Sequence, residues 1–178
     1  MEEKVSVWKS NLTNGLILGL IGIVYSLVMY FLDLTFNKTQ GYAFLLILVV
    51  ALFFLIKSYR DNYLHGYITY GQSVGAGAVI FLYYSIIMAV FIYILYAVID
   101  PGLIGKQLAF AEELMAKKGL PQEAMDAAMK IQKKIIKPEI IAPFGIISNM
   151  IYGVIISLIV AIFTKKEGNP LIDSPEVK

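Results

Sequence analysis

Residues 74–99 read VGAGAVIFLYYSIIMAVFIYILYAVI, and this stretch decides the fold. Its 26 residues carry no charged side chain. About 20 apolar residues of helix cross a bilayer core about 30 Å thick, so the run spans with length to spare. It does not alternate apolar with polar residues as a membrane β-strand does. Backbone inside hydrocarbon must satisfy its own N–H and C=O groups, which leaves the helix as the spanning form. Three further runs repeat the signal at residues 12–36, 41–56 and 140–164, with Asp33 as their one charged residue. The fold expected is all-α: an integral membrane four-helix transmembrane bundle. The second run, about 24 Å long by helical rise, is short. It crosses if Lys57 snorkels or its flanks join the helix; a re-entrant segment is the competing form.

Composition agrees. The chain is 58% apolar and 16% charged, with a mean hydropathy of +0.73. A soluble domain runs near ~45–50% and ~25%, and 178 residues cannot hide that apolar excess in one core. Cysteine is absent, which removes disulfides, thiolate metal sites and cysteine nucleophiles. One histidine, His65, excludes multi-histidine metal centres. The first run is too long for a cleavable signal and lacks a small-residue cleavage site, so it is expected to remain as a span. Residues 1–164 form one membrane domain, and residues 165–178 a polar tail.

Four spans place both ends on one side of the membrane. Lysine and arginine counts on the two sides nearly tie. The short connections break the tie, because Lys57, Arg60, Lys165 and Lys166 sit directly at span ends, whereas the turn at residues 37–40 holds only Lys38. The positive-inside rule then puts both termini in the cytoplasm. Asp100-Pro101-Gly102 stops the third span. The loop 100–139 that follows carries two amphipathic helical patterns. Leu103, Ile104, Phe110, Ala111, Leu114 and Met115 share one face of the first, and Gly119 suits its C-terminal cap. Met125, Met129 and Ile131 belong to the apolar stripe of the second. A helical hairpin is expected, its apolar stripes packing on each other, on the bundle or flat on the membrane surface; the competing reading is a docking face whose methionines offer an adaptable contact to a partner.

Small residues recur at four-residue spacing: Gly15 with Gly19, Gly71 with Gly75, Gly153 with Ser157. That spacing lets helix backbones approach closely, so these six are expected helix-packing residues, within this chain or, alternatively, at a homodimer seam. Lys57 and Arg60, with tyrosines nearby, are the candidate contact to lipid headgroups or a partner. No span holds a mid-membrane ionisable residue of the kind coupled carriers use. Catalysis, a cofactor site and a metal site all lack the convergent side chains they need, and a net charge of +2 gives no nucleic-acid groove.

Several blocks together carry a family resemblance. They are Asn14–Leu20, Lys57–Asp61 followed by Gly66–Gln72, Ile99-Asp100-Pro101 with the lysine- and methionine-rich loop, and Tyr152–Ile159 with a Lys-Lys ending. In these the chain resembles the bacterial membrane family known as domain of unknown function 4199. The resemblance implies a four-span inner-membrane protein of Gram-negative, chiefly Bacteroidetes, type; it implies no catalytic residue. The function expected is that of a non-enzymatic accessory or scaffold subunit of a membrane complex, or a homo-oligomer, with the bilayer, other inner-membrane proteins or itself as partners. A small transporter or channel formed on oligomerisation is the alternative.

Overall fold

The computed structural model of the protein describes residues 6–168. Among the described residues six α-helices follow one another: α1 Val7–Phe31, α2 Lys38–Tyr63, α3 Tyr70–Ile94, α4 Leu103–Lys117, α5 Gln122–Ile135 and α6 Pro138–Thr164. One π-helical turn, Leu95–Ile99, prolongs α3. No strand occurs among the described residues; a single antiparallel bridge joins Ile68 to Lys166. Four helices, α1, α2, α3 with its π turn, and α6, are long and apolar enough to cross a membrane. The all-α membrane bundle with a helical hairpin before its last span is therefore the fold observed.

Helix ends follow local chemistry. Thr69 accepts a hydrogen bond from Gln72 N–H while the Gln72 side chain accepts from Thr69 N–H, a reciprocal cap that starts α3 four residues before the apolar run at Val74. Asp33 takes a positive φ of 55°, a left-handed conformation that a short acidic side chain tolerates and that stops α1. Gly119, at φ +70°, ends α4: its N–H reaches the Ala116 carbonyl and Leu120 N–H reaches the Met115 carbonyl. The second span is not short. α2 runs on from the apolar stretch through Lys57, Arg60 and Asp61 to Tyr63, for 26 residues. The polar flank joins the helix because Arg60 and the neighbouring loop find partners at the end of α6.

α3 is the centre of the bundle, with α1 and α6 packed closely on it and α2 lying over the side between them. Phe81, Ile80, Tyr84 and Ala76 of α3 are buried against Leu18, Leu52, Ile56 and Val160 from the three other spans. Close approach is made by glycines. A Cβ at Gly15 would run into the Cβ of Tyr83, one at Gly153 into the Cβ and Cγ of Phe81, and one at Gly77 into Ser157. At Gly19 it would come within 2.8 Å of Ile87, and at Gly22 within 2.8 Å of the Met88 sulfur. Ser157 donates back to the Gly153 carbonyl at 2.6 Å, so its hydroxyl is satisfied inside its own helix.

Gly71 and Gly75 make no close packing within the chain. Both are exposed, and a Cβ on either would meet nothing within 4 Å. The close contact on α3 falls instead at Gly77, two residues on, which a helical turn of about 100° per residue carries to the other side.

Candidate functional site

The end of the bundle where α1 begins and α6 ends is tied by polar contacts. Arg60 donates from Nη1 to the Thr164 carbonyl at 3.1 Å and from Nε to Asp61 at 2.7 Å. A cation at the last carbonyls of α6 answers the negative end of that helix. Ser73 and Thr164 share a buried hydrogen bond of 2.5 Å between α3 and α6. Lys166 sits 5.4 Å from the centre of the Tyr67 ring. Arg60 is thus spent on internal contacts, not on an outward one; Lys57, beside it, is exposed. Of the polar tail, residues 169–178 lie outside the described residues.

At the opposite end, α4 closes over the bundle. Phe110 of α4 packs on Phe36 with ring centres 5.8 Å apart. Lys106 pairs with Asp33 at 2.9 Å, and that hydrogen bond, more than the carboxylate's charge, holds the ammonium above its usual value. Tyr30 donates to Asp100 at 3.3 Å. The amphipathic stripe of α5 divides. Met125 is only 8% exposed on the helix that packs chiefly with α4, and Met129 is half-buried, whereas Ile131 is 62% exposed. The methionine face is therefore largely taken up within the hairpin, the packing expected of it, and little of it is left for the competing docking reading. Ile131 and Ile135 remain outside.

Between these two ends α2 and α6 diverge, leaving a cleft floored by α3. Its larger part, about 510 Å³, has Phe81, Tyr84, Leu48 and Ile156 at its buried floor and Tyr42 and Tyr152 at its exposed mouth. A second cavity of about 280 Å³ adjoins it, sharing Phe44, Tyr84 and Asn149, and reaches Tyr96 and Gln107 under α4. No charged side chain among the described residues lines either. Apolar pockets of this size with a few polar groups are the usual form of small-molecule sites. The sequence carries a sign of Gln107: with Leu103, Phe110 and Leu114 it shares one helical stripe, as the polar member of an apolar face.

The far side of α3 is bare. Gly71, Gly75, Ile86 and Val90 are exposed along it, with Ala78 and Leu82 partly so. These positions follow helical spacing and lie opposite Ile80 and Tyr84, which face the core.

Among known proteins, no curated protein and no solved structure matches the chain. The profile of the family described as "Protein of unknown function (DUF4199)" does match, over residues 13–166. That range takes in most of α1 and the whole of the other three spans, the hairpin and the bridge at Lys166. The chain belongs to the DUF4199 family.

Proposed function

We propose that this protein is a non-enzymatic accessory or scaffold subunit of the bacterial inner membrane. In this reading both termini lie in the cytoplasm, and the chain works by packing the bare side of α3 against a helix of another membrane protein or of a second copy. The observation that carries the reading is the uncovered Gly71–Gly75–Ala78 face on the helix around which the other spans are built. In lipid, association depends on close packing because the tails are as apolar as leucine, and small side chains permit it. Gly15, Gly19, Gly22, Gly77 and Gly153 are already occupied inside the chain. Orientation is supported by Lys9, Lys57, Lys165 and Lys166 at the terminal end. The non-enzymatic reading is supported by the engagement of Asp61 with Arg60.

The test is purification of the tagged chain from its native membranes in mild detergent, with particle mass and co-purifying proteins determined. A stoichiometric partner or a defined homo-oligomer is expected. Gly75→Leu, placed where nothing lies within 4 Å, should separate the assembly and leave the fold intact. A monomer free of any partner would overturn the reading, and solute flux through a homo-oligomer in proteoliposomes would put a transporter or channel in its place.

A further inference from the structure

We infer that α5 lies on an anionic membrane surface, with Ile131 and Ile135 in the acyl boundary and Lys130, Lys134 and Lys137 on lipid phosphates. This goes beyond the assembly role and uses a different part of the molecule. At about 100° per residue, α5 has three sides. The first packs within the chain: Met125 and Ile136 are buried there and Met129 is half-buried. Ile131 and Ile135 stand about 100° round from that side, 62% and 50% exposed. Lys130 and Lys134 edge this second apolar side, and Lys133 lies opposite it. Two exposed isoleucines one turn apart, bordered by lysines, are the pattern of a helix lying in a membrane interface.

The connectivity of the chain says what covers those isoleucines. α5 ends at Ile135 and α6 begins at Pro138, so only Ile136 and Lys137 separate them. Three residues of extended chain reach about 10 Å. α6 is long and apolar enough to cross the membrane, and from Ile140 to Thr164 it holds no charged residue. The bilayer surface therefore lies near Lys137 and Glu139, and that tether keeps the last turn of α5 beside it. Charge selects the kind of surface. Lys130, Lys134 and Lys137 are exposed, and none forms an ion pair among the described residues. The acids of α5, Glu123 and Asp126, sit in its first half. Lysine stems cover apolar surface while their ammonium groups reach out to the polar layer. Each such lysine is worth about fivefold in binding to an anionic leaflet. Lys133, about 10 Å further out across the helix, is separated from it by about one Debye length.

The experiment places a nitroxide on the full chain, which has no native cysteine, at Ile131→Cys or Lys133→Cys. Each form is held as one copy per nanodisc of phosphatidylcholine, alone or mixed with phosphatidylglycerol. Accessibility to oxygen, which concentrates in the bilayer, is measured against a water-soluble nickel complex. Both positions are exposed in the fold itself, so the fold without a membrane gives them the same access to water. With phosphatidylglycerol present, the oxygen-to-nickel ratio should be about tenfold higher at 131 than at 133. The ratio of inserted to water-exposed label at 131 should fall about fivefold with Lys130→Gln or Lys134→Gln and hold with Lys133→Gln. High salt should act as the first two substitutions do. All these positions lie off the α4 contact, so circular dichroism should show α5 intact. Water access at 131 equal to that at 133, insertion indifferent to phosphatidylglycerol, or a label at 131 shut off from both reagents by protein packing would each overturn the inference. The two lipid mixtures compared on one labelled chain decide the matter even where a lysine variant fails to fold. One copy per disc keeps the result independent of oligomeric state, so failure of the assembly reading would leave it standing.

Discussion

Gly153→Ala should be among the most damaging single-methyl additions this chain can receive. The new Cβ would land on the Cβ and Cγ of Phe81, a side chain 1% exposed at the core of the α3–α6 contact. Atoms that close to the backbone cannot swing aside by a rotamer change, so the two helices must part. Overpacking of this kind costs about 1–3 kcal/mol, which is about 5- to 150-fold in the unfolding equilibrium. Gly145→Ala is the matched control, in the same helix two turns earlier, where the Cβ meets nothing within 4 Å. Alanine there is neutral or stabilising by up to about 1 kcal/mol. Reversible unfolding of the two variants in mixed micelles, followed by circular dichroism, reads the difference directly. A double variant with Phe81→Ala should cost less than the sum of its parts, since each change relieves the other. Refutation would be a Gly153→Ala variant within about 0.5 kcal/mol of the parent, or a Gly145→Ala variant that loses as much.

Other outcomes follow from particular contacts. Ser73→Ala and Thr164→Val should show a coupling of about 0.6 kcal/mol, and no more than about 1.7, in a double-mutant cycle of unfolding, as interhelical hydrogen bonds in membranes do. Met125→Ala should destabilise the hairpin by about 2 kcal/mol, seen as faster hydrogen exchange across α4 and α5; Ile131→Ala, at an exposed position, should leave exchange unchanged. Asp33→Asn should lower the Lys106 titration toward its ordinary 10.5, as read by nitrogen NMR of the ammonium. The sign follows from the raised value in the fold: the pair's contribution is complete below 10.5 and fades as pH climbs through the raised value.

Four spans, the hairpin and the Gly119 stop are legible in the sequence because each rests on a local rule: uncharged length, helical periodicity, or a glycine at positive φ. The reach of α2 is not legible from hydropathy, since it depends on Arg60 finding the Thr164 carbonyl 104 residues away. The glycine pattern is half legible. Spacing marks which residues can admit a neighbour, and the fold decides which do, so Gly15 and Gly153 meet α3 while Gly71 and Gly75 face outward. Met125 and Ile131 share one stripe in sequence, yet α4 covers only part of it, because a single helix cannot cover so wide an apolar arc. The cleft is the least legible feature. It arises from the divergence of α2 and α6, and Gln107 within an apolar stripe was its one local sign.

The most direct test of the account uses the absence of native cysteine. A benzophenone crosslinker is attached to a single introduced cysteine, at Ala78→Cys or Ile86→Cys on the bare side of α3, and at Ile155→Cys on the exposed side of α6. Irradiation in native membranes, followed by gel separation and mass spectrometry, identifies what lies against each face. The account predicts one discrete protein adduct, to a partner or to a second copy, from both α3 positions, and only lipid adducts from Ile155→Cys. Lipid adducts alone from all three positions would contradict it.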